Sequence, residues 1–140
     1  MDLKQFKTVE QLAAAIKTLD MVTSVAWTDY SATSTIVGWT SYTTKEIWYK
    51  KIGKIVFVTF HIAGTSDDTV ANFTVPFSNN ADVRVNVVIR GLDDGSYNAS
   101  TLCELPVSAS QVNIYTDLAG TAWTNSGNKT IVGQFWYEIA

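Results

Sequence analysis

The chain has 140 residues, of which 46% are hydrophobic, 12% aromatic and only 16% charged, with a net charge of −3. That length suits one domain burying its own core rather than two. The mild negative charge, with no basic cluster denser than Lys50, Lys51 and Lys54, argues against nucleic acid as a partner.

Residues 2 to 20 carry the one convincing helical pattern, with Val9, Leu12, Ile16 and Leu19 spaced three and four apart on one face. Thr8 followed by Gln11 fits an N-cap, and a start at Asp2 fits equally well. A helix this short is marginal alone in water. It therefore needs a surface to pack on, either its own domain or equivalent helices of other copies, as an oligomerisation or attachment device. The first seven residues lack the unbroken apolar core of a signal peptide, so Sec-type export is not expected. The longest apolar stretch, 55 to 63, is broken by Thr59 and His61 and falls far short of the ~20 residues that span a bilayer, so no membrane insertion is expected.

From Thr35 onward the period changes to two. The alternation predicts about eight strands, at 35–39, 46–52, 54–63, 71–75, 82–90, 101–107, 111–116 and 130–139. This gives a mainly β fold, an antiparallel β-sandwich or jelly-roll-like domain at 31–140, preceded by a helix and connector at 1–30. Gly53 reads as a hairpin turn. Polar loops are expected at 64–69, 78–80, 91–96 and 117–129.

In the strand at 54–63, Val56, Val58, Phe60 and Ile62 form a core face, while Ile55 and Phe57 make the opposite face apolar too. The last strand sets Ile131, Phe135, Tyr137 and Ile139 on one side and Val132 and Trp136 on the other. In the strand at 82–90, Val83, Val85, Val87 and Ile89 alternate with mostly polar neighbours. Apolar residues on both faces of strands, in a chain with few helices, predict that the second face meets another subunit.

Candidate chemistry is sparse. Asp67-Asp68 and Asp93-Asp94 are carboxylate pairs, but adjacent turn aspartates are ordinary turn formers, and no EF-hand spacing accompanies them. His61 is the single histidine, with no nucleophile-elbow motif to make a triad. Cys103, among leucines, reads as a small buried hydrophobe. Neither a catalytic residue nor a metal or other cofactor is expected. Two loop aromatics, Tyr97 and Trp123, stand among polar residues that include Asp94 and Asn125. An aromatic plate with flanking amides and carboxylates can bind a sugar, its ring against the C–H face and its polar neighbours on the hydroxyls. The competing expectation is that each aromatic folds back to plug the end of the domain.

Trp48-Tyr49-Lys50-Lys51-Ile52-Gly53-Lys54 runs into Ile55-Val56-Phe57-Val58, followed by Gly64-Thr65-Ser66, Phe73-Thr74-Val75-Pro76-Phe77 and Gly133-Gln134-Phe135-Trp136-Tyr137. In this order the motifs resemble C-terminal domains of bacteriophage tail-fibre and related receptor-binding proteins. The resemblance covers roughly the last two-thirds of the chain. It implies a β-sandwich or jelly roll, often trimeric, on a virion appendage that meets the host surface. The expected protein is a non-enzymatic virion component, made in the host bacterial cytoplasm. It would form a homo-oligomer, reach other virion proteins through its N-terminal helix and present its loops to host glycans. A soluble carbohydrate-binding module, or a capsid decoration or baseplate subunit, is the alternative.

Overall fold

A computed structural model describes residues 8–23 and 25–140, with the side chains of 19–23 outside the description. Residues 2–7 of the expected helix and the side chain of Leu19 therefore lie outside the described residues. The helix α1 runs Val9–Thr23. Thr8 is its cap: the Thr8 hydroxyl accepts from the Gln11 backbone N–H at 3.2 Å, and the Thr8 carbonyl from that of Leu12. Val9 is 83% exposed and Ile16 also faces solvent, with Leu12 half-buried.

Beyond α1 the described residues are mainly β, in nine antiparallel strands forming one curled, half-barrel sheet. In chain order these are β1 (Thr28–Asp29), β2 (Ile36–Val37), β3 (Trp39–Ile52), β4 (Ile55–Ser66), β5 (Asn72–Thr74), β6 (Val85–Asp93), β7 (Ser96–Leu105), β8 (Gln111–Tyr115) and β9 (Asn128–Glu138). The sheet order is β1-β3-β4-β9-β6-β7-β8-β5-β2. Gly38 alone separates β2, at one edge, from β3, near the other, so the sheet must curl for the chain to continue. Its φ of 109° is one that side chains with a Cβ rarely adopt.

Each expected strand has a counterpart, with shifted bounds. The stretch 35–39 is split at Gly38, and β3 begins at Trp39 rather than 46, passing two register shifts before Thr44. The expected loop at 91–96 is instead the tip of a hairpin. Asp94 and Gly95 both take positive φ, 46° and 83°, as a two-residue primed turn requires, and β6 and β7 continue to either side of it. Gly53, with φ 60°, starts the other tight turn, between β3 and β4.

The inner face is the core. Val56, Val58, Phe60 and Ile62 of β4 and Ile131, Phe135 and Tyr137 of β9 are buried on it, as the alternation predicts. Phe60 also meets Phe73 of β5 at 4.8 Å between ring centroids. Cys103 lies in the same core, where burial pushes its thiol up to about 12, outside the reach of nucleophilic chemistry at neutral pH.

The two ends of the sheet differ. At one end lie the Gly53 turn, the bridge of Asn79 to Ile139, and the hydrogen bond from the Ile139 N–H to the Lys54 carbonyl. The register of β1, Thr28 opposite Tyr49 and Asp29 opposite Trp48, brings the chain into the sheet from this same end. At the other end lie the Asp94-Gly95 tip and the segments following β4 and preceding β9, which are tied together by the Trp123 N–H on the Thr69 carbonyl and the Asp94 N–H on the Asn128 carbonyl.

Candidate functional site

The residues expected to form a sugar site are not brought together as one plate. Trp123 is 3% exposed; its indole N–H donates to the Ile114 carbonyl at 2.9 Å, and its ring faces the Lys129 ammonium at 5.6 Å. It plugs the loop end of the core and offers no face to a ligand, which corrects its reading as a stacking plate. The cause is local. Thr69 captures its backbone N–H, and Asp93 accepts from both the N–H and the hydroxyl of Thr124, so the segment is pulled in over the sheet.

Asp94 is held by its turn, its carboxylate lying where a Cβ on Gly127 would fall, and Asn125 is exposed in the neighbouring bend. Tyr97 is 67% exposed on the outer face of the sheet, opposite Leu92 of β6. Its partner is one that the sequence reading missed. Arg90 donates from Nη2 to the Tyr97 hydroxyl at 2.6 Å, with its guanidinium 4.7 Å from the ring centroid. Seven positions apart in sequence, the two meet because β6 and β7 form a hairpin with a register shift between Ile89 and Gly91. Ala99 and Ser100 together oppose Arg90 there, and such a bulge re-aims side chains.

These two residues border a cleft of about 490 Å³ lined by His61, Arg90, Gly91, Leu92, Tyr97, Thr130 and Val132. His61 of β4 stands opposite Val132 of β9, which in turn stands opposite Arg90, so three neighbouring strands set these side chains in one row.

Toward the Gly53 end of the same outer face the chemistry changes. Lys50, Phe57 and Trp136 are in register across β3, β4 and β9. The Lys50 ammonium lies 5.6 Å from the Trp27 ring. Trp136 is 60% exposed, Phe57 and Trp27 are exposed beside it, and Trp48 is exposed further along the same face of β3. Exposed aromatics concentrated on one part of a sheet are unlike the scattered apolar residues of an ordinary surface.

The chain matches no known family model and no curated protein.

The paired carboxylates are engaged in turns. Asp68 accepts from the Val70 N–H at 3.2 Å and from the Thr69 hydroxyl, while Asp93 holds Thr124. Asp117 accepts from the N–H groups of Ala119 and Thr121 and from the Thr121 hydroxyl, and these bonds hold its carboxyl below the usual aspartate range. Among the described residues no group of three His, Cys, Asp or Glu side chains could hold a metal ion, and no described helix is long and apolar enough to cross a membrane.

Proposed function

We propose that this chain is a non-enzymatic appendage subunit of a bacteriophage particle, of tail- or head-fibre type, which self-associates as a trimer and turns its loop end to host-surface glycans. The observation that carries the reading is the polarity of the sheet. The end that the chain enters from α1 bears the exposed Trp27, Phe57 and Trp136, while the opposite end bears polar loops and, near it, the Arg90–Tyr97 cleft. The apolar residues of α1 and of the outer face then meet other copies or other virion proteins. The curled sheet, bringing Phe60 of β4 onto Phe73 of β5 at the far side of the strand order, supports a sandwich of jelly-roll type.

Light scattering at micromolar concentration tests the assembly. The full chain is expected as an oligomer; a monomer overturns self-association. A second reading, a soluble carbohydrate-binding module, is favoured by the same exposed Trp27, Phe57 and Trp136, which as a monomer's surface would form a stacking platform. Incorporation of the protein into purified particles separates the two.

A further inference from the structure

Resting on the reading that the loop end meets glycans, we propose that the cleft between Arg90 and His61 is a subsite for a carboxylate-bearing sugar, a uronic acid within a host-surface polysaccharide. The cleft has the size of a small-ligand site, about 490 Å³. Its lining sorts by chemistry into one cation, one imidazole, two hydroxyls and apolar or aromatic surface.

No carboxylate lines the cleft, although the chain carries a net charge of −3. Arg90 is exposed and, among the described residues, pairs with no carboxylate; the one ion pair in the sheet is that of Arg84 with Glu104. A guanidinium presents five N–H donors in a planar fork. Tyr97 takes one of them, which fixes the plane and leaves the rest of the fork for a ligand. A carboxylate accepts two parallel bonds from such a fork, and the pairing is stronger than a neutral one.

The rest of the lining suits a sugar ring. Leu92 and Val132 give an apolar floor, and the exposed Tyr97 ring stands beside them for the C–H face of a pyranose. Thr130 and His61 supply a hydroxyl and an imidazole for ring hydroxyls, and the His61 side chain forms no hydrogen bond to another described residue. A single guanidinium matches one negative charge. A phosphodiester carries the same charge and can also take two bonds from the fork, but in a glycerol phosphate polymer it brings no sugar ring for the apolar floor to contact.

The test is calorimetric titration of the full chain with oligogalacturonate, with a neutral oligosaccharide of equal length and with glycerophosphoglycerol, a singly charged glycerol phosphate diester, with light scattering on the same samples. Oligogalacturonate is expected to bind at least about tenfold more tightly than either of the others. Arg90→Gln should abolish that preference, Arg90→Lys should keep part of it without the fork, and Tyr97→Ala should weaken oligogalacturonate by about tenfold. Circular dichroism of each variant should match the unmodified chain, since both side chains are exposed. Equal binding of the neutral oligomer, tighter glycerol phosphate, or a preference that survives Arg90→Gln overturns the subsite. If the subsite fails while the oligomer persists, the appendage reading stands; if oligogalacturonate binds a monomer, the subsite stands and that reading falls.

Discussion

Trp39 and Lys129 hold each other at both ends: the Trp39 indole N–H donates to the Lys129 backbone carbonyl at 3.0 Å, while the Lys129 ammonium lies 5.2 Å from the Trp39 ring centroid. The lysine is fully buried. Its ammonium donates to the carbonyls of Gly38, Asp68 and Val70 at 3.1, 2.7 and 3.1 Å, and so gathers the start of β3 and the segment after β4 onto β9. Burial lowers its pKa, against the opposing pull of Asp93, Asp67 and Asp68. The ammonium thus acts as a three-pronged staple in place of a core hydrophobe.

Lys129→Met fills similar volume but removes all three donors. The Gly38 and Asp68 carbonyls keep long bonds from the Asp67 N–H and the Ser66 hydroxyl while the Val70 carbonyl loses its donor, so at roughly 1 kcal/mol per lost bond a loss of about 2 kcal/mol is expected. Urea denaturation of variant and parent measures it, and a change under about 1 kcal/mol would show that these carbonyls find other donors.

Asn79 is buried between strands, its amide donating to the carbonyls of Pro106, at 3.1 Å, and of Val83. Asn79→Asp replaces that donor with a charge facing carbonyl oxygens. The expected cost at neutral pH is about 3 kcal/mol or more, because a buried anion without a partner is left behind. Asn79→Ala should cost less, and comparing the two melting temperatures separates the charge from the lost bonds.

The Asp117 turn should loosen in acid. Its pKa is lowered in the fold, so its contribution is present above the unfolded value near 3.8 and is lost as pH falls through the lower folded value. The amide shifts of Ala119 and Thr121, followed by NMR, should titrate with a midpoint below 3.8. Asp117→Asn should erase the transition.

Trp136→Ser alters an outer-face residue that contributes little to the core. Stability should change by no more than about 0.5 kcal/mol. The proposed oligomer should shift to smaller species on light scattering, and more so when combined with Phe57→Ser. An unchanged mass would move the subunit contacts away from this part of the sheet.

Alternation made β4 and β9 legible in the sequence, because Val56, Val58, Phe60 and Ile62 recur on the core face of β4, and Ile131, Phe135 and Tyr137, with Gly133 among them, on that of β9. Thr8 and Gln11 likewise marked the start of α1. The front of β3 was hidden, since Tyr42, Thr43 and their neighbours are mostly exposed and two register shifts break any period. β1 is two residues long and exists only through its register with Tyr49 and Trp48. The polar run at 91–96 reads as a loop until the positive φ values of Asp94 and Gly95 are seen to join two strands.

The candidate site was less legible for a different reason. Tyr97 stood out as an aromatic among polar residues, but its pairing with Arg90 depends on a bulge, and Trp123 looked as exposed as Tyr97 until hydrogen bonds from the surrounding segment drew it inward. Nothing in the neighbourhood of Lys129 in sequence marks it as buried; its three acceptors come from positions more than fifty residues away.

The Gly95 tip has a further use. A Cβ placed there meets no atom within 4 Å, and the chain joins the sheet from the opposite end. A peptide grafted into this turn would project from the end of the sheet opposite the one at which the chain enters, so the turn is a display point whose cargo can be exchanged without touching the core.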